Sequence, residues 1–145
     1  MSSDTASVYW DASAILSALF TDSHSQLAGD WAAREGVHLI STLGFAEVIA
    51  VISRMQRGRV ISAALKKSAL EILDSGPWRR TVIVPEWKTI QLLAAAWPLR
   101  GADLWHLATV RTIQKELPEI KMISFDKRLY EAACGESIAF ATVAL

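Results

Sequence analysis

Short apolar runs alternate along this chain with stretches whose apolar residues recur at helical spacing. Ser7 to Trp10 reads as an extended segment, and Asp11 follows it directly. From Ala12 the pattern AILSALF places Ile15, Leu16 and Leu19 on one helical face. A second helix is predicted from about Ser23 to Arg34, with Gly36 ending it. Val37 to Ile40 reads as a strand, and Ser41 or Thr42 caps a helix that runs to about Arg57 before Gly58. Ser62 to Leu73 is helical, with Gly76-Pro77 as its stop. The β-branched run Thr81 to Val84 predicts a strand, and a helix opens at Pro85 or Glu86 and continues to about Trp97. Ala102 to Leu117 is helical up to Pro118. Lys121 to Phe125, Lys127 to Cys134 and Ser137 to Val143 then predict a strand, a helix and a last strand. Strands alternating with helices in this way indicate an α/β sandwich with a mostly parallel sheet. No linker, repeat or low-complexity tract interrupts residues 1–145, so a single domain is expected.

In such sheets the ligand crevice lies outside the carboxyl ends of the strands. Asp11 and Asp126 each stand there, directly after a strand and before a helix. They join Glu47 and Asp103 as four acids set in otherwise apolar surroundings: VYWDASAIL, TLGFAEVIAVI, GADLWHLATV and KMISFDKRL. Burying an unpartnered ionised carboxylate costs several kcal/mol or more. If the fold gathers the four, the pocket carries a charge near −4 and calls for cations, for which hard divalent ions are the natural oxygen-bound choice.

Each acid has an ordinary explanation beside this one. Asp11 and Asp126 are good helix N-caps, and a cap at a positive helix end still holds an ionised carboxylate. Asp103 falls in a first helical turn, where the helix dipole favours acids. Its i+3 neighbour His106 is a candidate metal ligand or proton shuttle, or else a satisfied, partly buried ring. Glu47 is hardest to explain structurally. It lies inside a helix, caps nothing, and has Leu43, Gly44, Ala50 and Val51 at its i±3 and i±4 positions. Arg54 lies two turns further along the same stripe, suited to a phosphate or to plain solvent exposure.

Composition bounds the rest. Of 145 residues, 52% are hydrophobic and 21% charged, which excludes a disordered or strongly charged chain. Fifteen basic residues balance fifteen acidic ones. With the four acids set aside, eleven acids face fifteen bases, leaving a mildly basic surface around an acidic pocket. That distribution suits a nucleic-acid substrate. Cys134 is the only cysteine, so no internal disulfide forms, and it reads as a small, half-buried helix residue. The N-terminal MSSDTAS lacks the features of a secretory signal, and no apolar run approaches a membrane span. A cytoplasmic protein is expected, with no membrane partner.

The strings YWDASAIL, LISTLGFAEVIAVISR, LRGADLWHLATV and ISFDKRLYEAA, in this order through almost the whole chain, resemble the PIN domain, and in particular the VapC-type toxins of toxin–antitoxin pairs. The resemblance implies a three-layer α/β/α sandwich with a five-stranded parallel sheet, and a metal-dependent ribonuclease. Asp11, Glu47, Asp103 and Asp126 would be its acidic, metal-binding and catalytic quartet. The cofactor would be Mg²⁺ or Mn²⁺, which activates water for attack on an RNA phosphodiester. Ser13 and His106 would be accessory groups. Ser124 stands where many relatives carry Thr and keeps the hydroxyl. The resemblance also implies a homodimer and a cognate VapB-like antitoxin. Arg54, Arg57, Arg59 and Arg100 are candidate phosphate contacts, or a solvated basic surface. Trp78, Trp87, Trp97 and Trp105 are expected mainly in the core, with interface packing or base stacking as alternatives.

Four rival readings can be weighed against the sequence. A non-catalytic PIN-like module binding RNA or protein has the intact quartet against it, and a housekeeping RNA-processing nuclease would lack a neighbouring antitoxin reading frame. A phospho-accepting receiver needs paired acids after its first strand, and Ser7-Val8-Tyr9-Trp10 offers none. A dinucleotide or nucleotide fold needs a glycine-rich phosphate loop, and none occurs.

Overall fold

The computed structural model describes residues 5–141. Four strands form its sheet: β1 (Ala6–Trp10), β2 (Gly36–Ser41), β3 (Trp78–Thr81) and β4 (Lys121–Ile123), in the spatial order β3-β2-β1-β4. Every neighbouring pair is parallel. Parallel pairing requires crossovers, and helices supply them: α1 (Ala12–Leu19), α2 (Ser25–Ala32), α3 (Thr42–Arg57), α4 (Ala63–Ser75), α5 (Trp87–Ala96), α6 (Gly101–Ile113) and α7 (Lys127–Gly135). Asp11, Ser41, Ser62 and Asp126 cap α1, α3, α4 and α7, each side chain accepting from a first-turn N–H.

Side chains alternate across a strand, and the two faces of β1 divide the core. Val8 and Trp10 enter one apolar cluster with Ile15, Val48, Ile52 and Leu73, from α1, α3 and α4. Tyr9 enters the other with Leu93, Leu107 and Leu129, from α5, α6 and α7. The result is the expected three-layer α/β/α sandwich. Full burial of each large aliphatic chain contributes roughly 1.5–3 kcal/mol. A one-residue slip of β1 would exchange Trp10 and Tyr9 between clusters, so its register is strongly specified. The Trp10 indole N–H donates to His38 Nδ1 at 2.9 Å, which leaves the hydrogen on Nε2 to bond the Arg34 carbonyl at 2.8 Å.

Two strand expectations need correction. The third strand is Trp78–Thr81, not Thr81 to Val84. Trp78 pairs with His38 and packs edge-on against Trp10, while β2 ends at Ser41 opposite Thr81. Among the described residues no strand lies beside Val82 and Val84, and they are exposed. The β-branched run was a good strand former with no partner left to pair with. The fifth strand expected at Ser137 to Val143 is reduced, among the described residues, to one parallel bridge between Met122 and Ala139. Hydrogen bonds from Met122 N–H to Ile138 O and from Phe140 N–H to Met122 O seat it on the free edge of β4. Thr142 and Val143 lie outside the described residues.

Helix boundaries shift by a few residues, with α2 shorter at both ends and α6 ending at Ile113 before a turn. Cys134 is exposed, not half-buried. Trp10 and Trp78 are core residues, whereas Trp87 is 88% exposed. Among the described residues no helix is long and apolar enough to cross a membrane.

Gly36 starts β2 with φ +138°, and a Cβ there would lie 1.8 Å from the Ala6 carbonyl oxygen. Both the dihedral and the close approach exclude a side chain. Gly36→Ala is expected to lower stability by more than about 3 kcal/mol, read as the shift in urea-unfolding midpoint. A change under about 0.5 kcal/mol would show that the start of β2 is not held as described.

Candidate active site

At the carboxyl end of the sheet, Asp11, Ser13, Glu47, Asp103, His106 and Asp126 line one cavity of about 90 Å³. Elements distant in the chain deliver them: Asp11 from the β1–α1 junction, Glu47 from α3, Asp103 and His106 from α6, and Asp126 from the β4–α7 junction. Larger hollows, of about 470 Å³ beside Trp97 and about 670 Å³ beside the β3 edge, contain none of the four acids.

Asp11 is buried, and its environment explains how a carboxylate tolerates that position. Oδ1 accepts from Ser13 Oγ at 2.7 Å and from the Ala14 N–H at 2.9 Å, and Oδ2 accepts from Ser124 Oγ at 2.5 Å. Burial pushes the Asp11 carboxyl above its ordinary value, and the bonds from Ser124, Ser13 and Ala14 pull it down without cancelling that effect. A carboxylate offers about four lone-pair directions. Three are taken, so Oδ2 keeps one. Asp126 is exposed, and its Oδ1 caps α7 through the Leu129 N–H at 3.1 Å. Capping and site geometry thus coincide at both positions.

Glu47 has a partner after all, but a distant one. His106 Nε2 lies 2.5 Å from Glu47 Oε1, across 59 positions of sequence. His106 is itself buried, with Nδ1 2.6 Å from the Tyr9 hydroxyl. That hydroxyl lies 2.9 Å from Ser41 Oγ, which accepts the Gly44 N–H at 3.0 Å. A carboxylate can only accept, so the His106 Nε2–H donates to Glu47 and fixes its carboxylate. Burial keeps the Tyr9 phenol far above its ordinary pKa, so it remains a neutral hydroxyl. A Cβ on Gly44 would meet Ser41 Oγ at 3.3 Å, closer than an ordinary contact, and His106 Cε1 at an ordinary 3.5 Å.

Asp103 is half-buried, and its carboxyl is pushed up, first by burial and then by the neighbouring charge of Asp126. Asp11 and Glu47 add to the repulsion, and His106 counteracts part of it. The donor set is therefore oxygen-rich, electrostatically crowded and suited to a hard cation. Among the described residues, no three His, Cys, Asp or Glu side chains form a ready-made metal-ligating cluster.

Arg54, Arg57, Arg59 and Arg100 are all exposed, and none lines the cavity. Arg54 and Arg57 close α3, Arg59 takes a left-handed φ of 58° just beyond it, and Arg100 precedes α6. Tyr9, Ser41 and Ser124 are site-supporting residues without an assigned role from sequence. Ser41 carried a signal only as a cap, and Tyr9 only as an apolar strand residue.

A family model described as "PIN domain" matches residues 8–134. Among solved structures, the chain is similar to the crystal structure of PAE2754 from Pyrobaculum aerophilum, with a TM-score of 0.57 and 14% identity. The similarity covers 90% of this chain and 83% of that one, and at this identity it concerns the fold. No curated protein matches the chain significantly.

Asp11 and Asp103 have raised folded-state pKa values, so their contribution to stability is fully present below the unfolded carboxylate range and is lost as pH rises through the folded values. Asp103→Asn in chelator-treated buffer is therefore expected to raise Tm by a few degrees at neutral pH. The gain should shrink as pH falls toward about 4. A lower Tm at neutral pH would contradict the repulsion.

Proposed function

The chain belongs to the PIN-domain family, whose members are in general nucleases, and from that premise we propose that it is a Mg²⁺- or Mn²⁺-dependent endoribonuclease acting as the toxin of a toxin–antitoxin pair. The convergence of Asp11, Glu47, Asp103 and Asp126 on one cavity carries the catalytic part of this reading. The toxin role rests on the motif resemblance to VapC-type proteins.

Asp11 and Asp126 are the direct metal ligands in this proposal, with Glu47 and Asp103 acting directly or through water. A divalent ion bound there supplies Lewis-acid polarisation of the phosphate and a lowered pKa for a nearby water. The protein's own contribution is preorganisation. Ser13, Ser124 and the Ala14 N–H hold Asp11 so that its free lone pair keeps one direction. His106 holds one oxygen of Glu47, and the other takes the proton of the attacking water. As the new bond to phosphorus forms, the ester P–O bond opposite breaks, and the leaving oxygen takes a proton from solvent. Tyr9 and Ser41 act through His106, as positioning residues. Arg54, Arg57, Arg59 and Arg100 contact backbone phosphates outside the cavity.

A homodimer and a VapB-like antitoxin complete the proposal. Support for self-association comes from the apolar surface near the β3 edge, where Val82, Val84 and Trp87 are 85%, 63% and 88% exposed. Large exposed apolar side chains are typical of contact surfaces when they form a common patch.

Asp11→Asn is expected to lower RNA cleavage at least about 100-fold, EDTA to abolish it, and Mg²⁺ or Mn²⁺ to restore it in the wild type. Chelator-resistant cleavage would refute the metal assignment. Tyr9→Phe is expected to lower kcat by about 10-fold or more with little change in KM; an unchanged kcat would remove Tyr9 from the positioning role. Trp87→Glu is expected to convert dimer to monomer in sedimentation velocity, and a monomeric wild type would dispose of the dimer.

A further inference from the structure

We propose that the stacked rings of His24 and Phe125 form a platform for one nucleobase of single-stranded RNA beside the acidic cavity; this deepens the nuclease reading and rests on it. The two rings lie 4.3 Å apart between centroids, with their planes 14° from parallel. Phe125 is partly buried against the core, and His24 is exposed. The other histidine ring contacts among the described residues are tilted or edge-on, and they involve the buried His38 and His106. A flat aromatic stack with a solvent-facing member offers what an unpaired base needs, a π-face on which any base can lie.

Position ties the stack to the chemistry. Phe125 immediately precedes Asp126, and its N–H donates to Ser13 Oγ at 2.9 Å, the same hydroxyl that bonds Asp11. A base on this platform would therefore belong to a nucleotide adjoining the phosphate in the cavity.

His24 is also held in place, unlike an ordinary surface histidine. Its backbone N–H donates to Asp22 Oδ1 at 2.7 Å, and Asp22 Oδ2 accepts from the buried Ser17 at 2.8 Å. The Asp22 N–H donates to Ser25 Oγ, whose hydroxyl donates to the Phe20 carbonyl at 2.6 Å. The turn carrying His24 is thus anchored to α1, and little ordering remains to be done when a base arrives. If the ring served only to cover Phe125, any apolar side chain would do as well. A stacking role requires a planar one.

The test measures binding by fluorescence anisotropy in the Asp11→Asn background with Mg²⁺. The probes are a short labelled oligouridylate and the same oligomer with abasic riboses. The base-containing oligomer is expected to bind at least about five-fold more tightly than the abasic one, from a stacking contribution of about 1 kcal/mol or more. His24→Ala should remove most of that difference and leave abasic binding unchanged, and His24→Tyr should restore it. Retention of the full difference in His24→Ala, in a protein whose wild type cleaves RNA, would overturn the platform alone. Equal losses for both oligomers would also overturn it, because the defect would not concern the base. If neither oligomer binds and the wild type cleaves no RNA, the nuclease reading fails and the platform with it.

Discussion

A carboxylate buried at the end of a central parallel strand is the constraint from which the rest of this site follows. Asp11 follows β1, which lies between β2 and β4, and apolar layers cover both faces of the sheet there. Left bare, such a group would lose its charge or destabilise the fold. Its three hydrogen-bond donors come from two separate junctions, Ser13 and Ala14 after β1 and Ser124 after β4. Satisfying Asp11 therefore docks the second junction against the first. The same donors have further bonds: Ser13 Oγ accepts the Phe125 N–H, and Ser124 Oγ accepts the Asp126 N–H. Through them the buried acid sets where the exposed acid stands.

A second network repeats this logic on the other side of the cavity. The pleat sends Tyr9 to the face opposite Val8 and Trp10, where its hydroxyl meets His106 from α6 and Ser41 at the start of α3. His106 then reaches Glu47 on α3. Two helices from opposite layers are thus joined past the end of the sheet by one imidazole. A buried polar network of this kind stabilises only when its members are satisfied. Here both ring nitrogens, the phenol and the serine oxygen all have partners.

Asp11 and Asp103 remain in tension despite these supports. Burial raises the carboxyl pKa of Asp11 and Asp103, and mutual repulsion adds to the effect at Asp103. The fold holds them close at a cost in stability, a common arrangement at sites that bind cations or move protons. Asp22 and Glu136 illustrate the opposite case. At Asp22 burial is outweighed by hydrogen bonds from Ser17, His24 and Ser25, and at Glu136 bonds from Trp97 and Arg111 dominate, so both lie below their ordinary values.

Much of this was legible before folding because local rules govern it. The order of elements followed from periodicity, and Asp11 and Asp126 stood out because strand-to-helix junctions in parallel sheets face the ligand crevice. Glu47 stood out through the absence of any local partner. What local rules could not supply was pairing at long range. The identity of Glu47's partner, 59 residues away, depends on α3 and α6 meeting beyond the strand ends. Thr81 to Val84 had strand-forming residues, but β2 ends opposite Thr81, so Trp78–Thr81 took the pairing. The arginines were candidates for phosphate contacts or for a solvated basic surface, and their exposed positions at or beside helix ends lie off the cavity wall. Sequence alone determined which residues can cap, pack or carry charge, because those properties belong to single residues and their near neighbours. Tertiary structure decided which of them touch, because contact between distant segments depends on strand register and helix docking, and no short stretch of chain encodes either by itself.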